Sequence, residues 1–329
     1  MKKSKDYAIS FARGMAMLAV VVCHFLQFYG SVLAFFLNFN VHMFLFVSGY
    51  LYSMKRIDNV FSFYRKCARK LLIDYYIYIC IFIGISMLTG RVQMDCQTVF
   101  HLLIMKQFTP EVGQFWFLPY ILFCYALTPI LHAVLDEFDR HNGIRYLLSI
   151  ALLIMFVEIT LRNFFDYFTP VWMESYILGM VVCRCKHRKL RLWNCLKAAL
   201  CGATVIAYSI LLWGMANIGF PPPAVFIELF YYAQSLLGIS AVLFLCWAFR
   251  RCRNIPAVCR RILDWSDKYA FEVYIVHNLY IQGSYSLLAV MDNPVLGILL
   301  ICLLIPVSAM LLRKAADLFR KKPIATRTA

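Results

Sequence analysis

The chain has 329 residues, of which 62% are apolar, 16% are aromatic and only 15% are charged. This composition excludes an ordinary soluble domain. The formal net charge of +16 would suggest nucleic acid as the partner of a soluble protein. Here, however, the basic residues stand in short segments between apolar runs, such as 184–191 and 250–253. That distribution is typical of the cytoplasmic loops of membrane proteins, so we expect membrane lipids as partners and no nucleic acid.

Apolar runs of roughly 20 residues recur along the chain, and each is long enough to cross about 30 Å of hydrocarbon as a helix. The runs are continuous and do not alternate between polar and apolar residues, which argues against strands. We predict an all-α polytopic membrane protein, a single domain over residues 1–329, with about ten transmembrane helices. The predicted spans are 8–29, 32–54, 71–89, 114–135, 144–162, 166–184, 195–216, 226–249, 267–289 and 294–313.

The positive charges predict how these helices are oriented. With the amino terminus in the cytoplasm, 29 of the 33 Lys and Arg residues fall in cytoplasmic segments, and such an excess marks that side. Both termini are therefore expected in the cytoplasm of a cell whose membrane the chain crosses repeatedly. Cys183, Cys185 and His187 have a loosely metal-like spacing, but no second ligand pair follows at the spacing of a zinc site. No metal is expected.

The first span contains a cation and an imidazole, Arg13 and His24. Eleven residues at 100° each bring the two side chains to within about 20° of one another around the helix, at an axial separation of about 16 Å. A charged residue at the centre of such a helix costs at least about 2.5–3.5 kcal/mol and usually faces a protein interior or a watery cavity. We expect Arg13 near the cytoplasmic surface and His24 deeper in the membrane, both facing one cavity.

Other spans add polar residues: His42 and Ser48 in the second, Glu174 in the sixth, Glu272 and His277 in the ninth. Two interpretations stay open. Such residues often only hydrogen-bond a neighbouring helix, at about 1 kcal/mol each, and a Ser-Gly pair often marks a close helix contact. Alternatively they line the cavity of His24, where a histidine is the usual group for taking a proton near neutral pH.

A basic cluster at residues 65–70 enters the third span from the cytoplasm. It can serve topology and attract anionic lipids, at roughly 1 kcal/mol per residue. It can equally pair with the phosphate oxygens of a cytosolic molecule. A phosphate-bearing donor inside, together with a base deep in the membrane, favours group transfer across the membrane over ion conduction.

The sequence resembles the membrane-bound acyltransferase family 3 in four stretches, and ten spans with both ends inside is also that family's plan. The stretches are Arg13-x10-His24, residues 44–50 (FLFVSGY), Lys66-Cys-Ala-Arg69 and Tyr274-Ile-Val-His277. They are similar to the family's Arg-x10-His, Phe-Phe-x-x-Ser-Gly-aromatic, Arg-x-x-Arg and Tyr-x-x-His patterns, with Leu45 and Lys66 as departures. Trp116-Phe-Leu is similar to the sugar acetylase-like branch and lacks the acid of the Trp-Ser-x-x-x-Glu pattern.

The resemblance implies transfer of an acyl group, usually acetyl, from cytosolic acyl-CoA to a hydroxyl of a cell-envelope glycan or lipid-linked sugar in the bacterial plasma membrane. It makes His24 the general base for that hydroxyl, or a transient acyl carrier. Arg13, Lys66 and Arg69 would hold the phosphates of CoA, acting as the donor-binding residues.

The remaining roles follow from the same resemblance. Ser48 and His277, with His42, would line or orient the site, and Glu174 or Glu272 would supply the acid that the Trp116 segment lacks. The alternative function is a transporter or flippase of a glycan intermediate that uses the same polar cavity. Transporters often show repeat symmetry and matching broken helices, and the sequence shows neither, so an O-acyltransferase is the favoured interpretation.

Overall fold

A computed structural model describes residues 5–31, 33–106, 109–164, 169–185, 192–217, 224–252 and 254–320. Within these ranges the chain is helical and contains no strand, which confirms the all-α prediction. The helices are α1 Tyr7–Phe28, α2 Leu33–Leu37, α3 Phe39–Ser53, α4 Val60–Thr89, α5 Cys96–Leu103, α6 Phe117–Phe138, α7 Ile144–Phe164, α8 Pro170–Cys185, α9 Leu192–Asn217, α10 Ala224–Arg251, α11 Ala257–Ile281, α12 Leu287–Val290 and α13 Pro294–Arg320, with 3-10 turns at Pro110–Trp116 and Gly283–Tyr285.

Every predicted span overlaps at least one of these helices, but three sets of bounds were wrong. The last helix continues to Arg320, past the predicted end at residue 313. The third helix begins at Val60 instead of residue 71, because Asn59 caps it by accepting a hydrogen bond from the Ser62 amide at 2.7 Å. The ninth runs from Ala257 to Ile281 instead of 267–289. It is followed by Gly283 in the left-handed region, at φ +76°, which a helix cannot continue through.

Seven segments of the described residues are long and apolar enough to cross a membrane, so the chain is a polytopic membrane protein. They are Tyr7–Phe28, Leu33–Ser53, Val60–Thr89, Pro110–Phe138, Ile144–Phe164, Ile227–Arg251 and Pro294–Arg320. The other predicted spans correspond to α8, which has only 16 residues, to α9 and to the more charged α11. The count of ten and the cytoplasmic termini stay predictions. His187 and the tail after Arg320 lie outside the described residues.

The chain divides into two compact units, and its organisation as a single domain stays a prediction. Unit 1 comprises residues 1–23, 32–58 and 126–264, and unit 2 comprises residues 24–31, 59–125 and 265–329. Helix α1 passes from the first into the second without a break.

The core of unit 1 is a close contact between α3 and α8. A methyl group on Gly49 would overlap the backbone carbonyl of Tyr176, and one on Gly179 would overlap that of Phe46. Small residues allow helix backbones to approach in this way. The contact is one of the two interpretations of the Ser48–Gly49 pair, and the catalytic role of Ser48 stays a prediction.

We expect Gly179→Ala to destabilise the protein by about 1–3 kcal/mol, the usual cost of forcing an extra group into a packed interior. The matched control is Gly202→Ala in α9, where a methyl would meet nothing within 4 Å. Alanine is the better helix former there, so Gly202→Ala should be neutral or stabilising by up to about 1 kcal/mol. Thermal unfolding in detergent compares the two; equal melting temperatures would contradict the close contact.

The core of unit 2 contains ion pairs between α13 and two carboxylates that are fully buried. Glu272 of α11 accepts a hydrogen bond from Nη1 of Arg313 at 2.8 Å, and Asp74 of α4 pairs with Arg320. Both counter-ions lie in the last three turns of α13, so the two ion pairs attach that end of the helix to α4 and α11.

Candidate active site

His24 lies near the end of α1, in the stretch that belongs to unit 2, and its side chain is half-buried. Its ring is adjacent to that of His277 on α11, with 4.9 Å between the ring centroids and 59° between the planes. The structure therefore brings together two of the residues that the sequence assigned to catalysis.

Two amide side chains surround the imidazole of His24. Nε2 of Gln282 lies 3.4 Å from Nδ1 of His24 and donates to Oε1 of Gln27 at 3.2 Å. The Gln27 side chain also hydrogen-bonds the His24 ring. An amide offers both a donor and an acceptor, so the ring keeps a partner whether it carries one proton or two. This environment suits a group that takes and returns a proton.

His277 is fully buried and has a defined tautomer. Its Nδ1 lies 2.8 Å from the carbonyl oxygen of Tyr274 and 3.2 Å from that of Val273. Because carbonyls only accept, the proton is assigned to Nδ1 and the lone pair to Nε2. That Nε2 atom is buried and has no hydrogen-bond partner among the described residues. A buried acceptor is therefore present in the ring next to His24.

The Pro110–Trp116 turn fixes the position of α11 beside His24. Nε2 of Gln114 donates to the carbonyl of Ile275 at 2.9 Å, and the Tyr274 hydroxyl donates in return to the carbonyl of Gln114. The centroid of the Phe117 ring lies 5.9 Å from that of Tyr274. The Trp-Phe-Leu stretch thus contributes to the wall beside the histidines.

Glu111, in the same turn, is an acid that the sequence did not single out. It is 2% exposed, and its Oε1 accepts a hydrogen bond from the Ser284 amide at 2.5 Å. Its Oε2 and the hydroxyl of the neighbouring Tyr78 are buried with no partner in the described chain. Gly283 is required beside it, because a Cβ there would overlap the carboxyl group. Glu111 lies between the predicted spans 71–89 and 114–135, where an acid normally faces water; Pro110 at a first helical position is the sequence signal for the turn.

The other predicted acid and serine belong to unit 1. Glu174 is 7% exposed and lies close to Glu158, whose Oε1 accepts a hydrogen bond from Nε of Arg162 at 2.8 Å. Ser48 is half-buried on α3. The second carboxyl candidate, Glu272, is taken by its ion pair with Arg313 in unit 2.

The hydrogen bonds of His42, also in unit 1, form a separate buried group. Nδ1 of His42 lies 2.8 Å from Oγ of Ser175, and that oxygen lies 2.8 Å from Oγ of Ser235. Ser175 donates to the carbonyl of Val171, so His42 donates to Ser175. The arrangement is the interhelical hydrogen bonding that the sequence analysis left open for His42.

The predicted phosphate-binding cations lie on α1 and α4. Arg13 is half-buried in the part of α1 that belongs to unit 1. Lys66 and Arg69 are three residues apart on α4 and therefore share a face. Lys66 is exposed, and Nη2 of Arg69 donates to the carbonyls of Phe319 and Arg320 at 3.4 and 3.2 Å. The end of α13 thus holds the Arg69 guanidinium in place while other N–H groups of that side chain remain for a ligand.

Comparison with known proteins identifies the family. The family model described as an acyltransferase domain, acyltransferase family 3, matches residues 6–313 of the chain. No curated protein and no solved structure gave a match. The matched range contains His24, His277 and both predicted cation sites, and it confirms the resemblance at the level of the family. The chain therefore belongs to acyltransferase family 3, and it is an integral membrane acyltransferase.

Proposed function

We propose that this protein is an O-acyltransferase that moves an acyl group, most simply acetyl, from cytosolic acyl-CoA to a hydroxyl group of a cell-envelope glycan or lipid-linked sugar in the bacterial plasma membrane. The observation that carries the proposal is the pairing of His24 with His277 in unit 2. A half-buried imidazole with amide partners on one side and a buried acceptor on the other is suited to accept a proton from a hydroxyl.

In the proposed step the acceptor hydroxyl takes the place of Gln282 at Nδ1 of His24, a contact of 3.4 Å, and loses its proton to that nitrogen as its oxygen bonds to the thioester carbonyl carbon. The carbon–sulfur bond then breaks, and the proton passes from the imidazolium to the CoA thiolate, which leaves as the thiol. The bare Nε2 of His277 would accept a hydrogen bond from the His24 imidazolium, as a carboxylate does in a Ser-His-Asp triad. His277 would then replace the acid that the Trp116 segment lacks.

Glu111 is our candidate for holding the acceptor. Its unpartnered Oε2 is a hydrogen-bond acceptor buried in the same unit as His24, and a sugar presents several hydroxyl donors to such an atom. Glu174, by contrast, lies close to Glu158 in unit 1. We keep Ser48 and Glu174 as candidate residues of the catalytic machinery on the strength of the sequence alone.

The donor side is assigned to the cations. Arg13, Lys66 and Arg69 would bind the phosphates of acyl-CoA at the cytoplasmic surface, since guanidinium groups bind phosphate oxygens in a bidentate manner. The fixed guanidinium of Arg69 supports this assignment, because a side chain already held by the α13 carbonyls loses little entropy on binding.

The experiment that tests the function uses the purified full chain in nanodiscs, acetyl-CoA labelled in the acetyl group and a panel of envelope glycans and p-nitrophenyl hexosides. Label appearing in a glycan as an alkali-labile ester is the expected result. Movement of a glycan across a sealed vesicle with no transfer of label would instead show a flippase, and would overturn the proposal.

We expect Arg69→Ala to raise the KM for acetyl-CoA by about tenfold, the effect of losing one charge-assisted hydrogen bond worth about 1.5 kcal/mol, while the acceptor KM changes little. Arg69→Lys should recover part of the loss. The matched control is Arg65→Ala, an exposed residue of the same basic cluster. An equal change of the KM in both alanine variants would indicate that the cluster attracts anionic lipid in general, and not that Arg69 binds the donor phosphates.

A further inference from the structure

Unit 1 contains a cavity of 730 Å³ whose wall is mainly apolar. Its volume lies in the range of about 300–1,000 Å³ that ligand sites usually have. Side chains from α1, α3, α8, α9 and α10 line it, among them Ile9, Phe46, Val182, Leu243 and Cys246. None of the residues assigned above to catalysis or to donor binding is among those that line it, so this cavity is separate from the proposed reaction.

The charged members of the wall, Arg250 and Arg251, lie where α10 ends. Nη2 of Arg250 lies 2.8 Å from Oδ2 of Asp6, so its charge is already matched. The guanidinium carbon of Arg251 lies 4.5 Å from the centroid of the Trp247 ring, and no described carboxylate is within ion-pair distance of it. The Arg251 side chain is exposed, which leaves its positive charge open to a ligand.

We propose that this cavity binds an anionic phospholipid, with one acyl chain against the apolar wall and the headgroup phosphate on Arg251. An apolar slot suits a hydrocarbon chain, and an Arg with a Trp at its mouth suits the depth at which a lipid headgroup lies. A free phosphate ion would gain nothing from the apolar wall, and a lipid with no net charge would gain little from Arg251. The charge and the cavity together therefore select a negatively charged diacyl lipid.

The proposal is tested by photo-crosslinking of the purified full chain in nanodiscs. Phosphatidylglycerol and phosphatidylcholine, each with a diazirine in the middle of one acyl chain, are compared at equal mole fraction, and labelled peptides are mapped by mass spectrometry. We expect label on the 239–251 stretch of α10, at about fivefold higher yield from phosphatidylglycerol, the factor that one basic side chain near a headgroup supplies.

Three variants make the test specific. Arg251→Gln should bring the yields from the two lipids close together, and Leu243→Trp, which fills the cavity, should lower both. Arg140→Gln is the matched control, because Arg140 is an exposed arginine of the same unit that pairs with Glu137, and it should leave the ratio unchanged. Equal labelling of the wild type by both lipids would overturn the proposal. So would loss of the label on adding acetyl-CoA with no loss on adding excess phosphatidylglycerol, since the cavity would then hold the donor.

Discussion

Replacing His24 by alanine is expected to lower the rate of acyl transfer by about 10³-fold, within the range of roughly 10²–10⁴ that a positioned general base contributes. Without the imidazole the acceptor hydroxyl has to lose its proton to water, and no other ring in the described part of the chain is as close to His277. The measurement is kcat with labelled acetyl-CoA at saturating donor. The KM for acetyl-CoA should change little, because His24 is assigned to the acceptor proton and not to the phosphates of the donor.

His277→Ala should lower kcat by a smaller factor, of the order of 10–10², because the ring acts on the substrate only through His24. The double variant should be no slower than His24→Ala alone, since residues that act as a unit are not additive. His141→Ala is the control: His141 hydrogen-bonds Ser149 at 3.0 Å in the turn after α6 and should leave the rate unchanged. Transfer that survives in the His24 variant would remove His24 from the base role.

The helices could be predicted because their signal is local. A run of apolar residues indicates a membrane-spanning helix whatever surrounds it, and the predicted spans all fall on helices. The same reasoning fails at helix ends that carry charge. Helix α11 begins about ten residues before its apolar run, and α13 continues to Arg320 beyond the predicted end at residue 313. The polar end of α13 is stabilised by its contacts with α4, such as the ion pair of Arg320 with Asp74, which hydropathy does not detect.

The candidate site could be predicted only in part, for the same reason. Arg13 and His24 could be connected because they lie on one helix with a fixed spacing. The contact of His24 with His277 joins residues distant in the chain, so residue spacing could not predict it and His277 was one of several polar candidates for the cavity of His24. Gln282 and Glu111 were missed altogether. Gln282 lies inside the predicted span 267–289 but is not ionisable, so nothing in the sequence marked it. Glu111 lies outside the predicted spans, and the packing of the 3-10 turn against α11 turns it toward the interior.

Loss of one member of the ion pair between Glu272 and Arg313 should destabilise unit 2 strongly, because a buried charge would be left without its counter-ion. Glu272 is fully buried, its Oε1 lies 2.8 Å from Nη1 of Arg313, and its Oε2 has no hydrogen-bond partner among the described residues. Two arginines of α13 therefore compensate two buried carboxylates, since Asp74 pairs with Arg320 nearby. Such an arrangement tolerates the loss of a matched pair far better than the loss of one member.

We expect Arg313→Met to destabilise the protein by about 3–5 kcal/mol, because it leaves the Glu272 carboxylate buried without its counter-ion. The double variant with Glu272→Met and Arg313→Met should have a stability close to that of the wild type, because two apolar side chains of similar volume need no partner. Thermal unfolding in detergent gives the two values. If the double variant were as unstable as Arg313→Met alone, packing of α13 and not the charge pair would be the source of the stability.

The same double variant also separates a structural acid from a catalytic one. Glu272 was one of two carboxylates considered as the acid of the site, and its ion pair now assigns it to the fold. The double variant should therefore retain kcat within about threefold at a temperature where it is folded, since a general acid or base would cost about 10²-fold or more. A folded double variant that lost activity by that larger factor would return Glu272 to the catalytic machinery. It would also contradict the proposal that His277 replaces the missing acid.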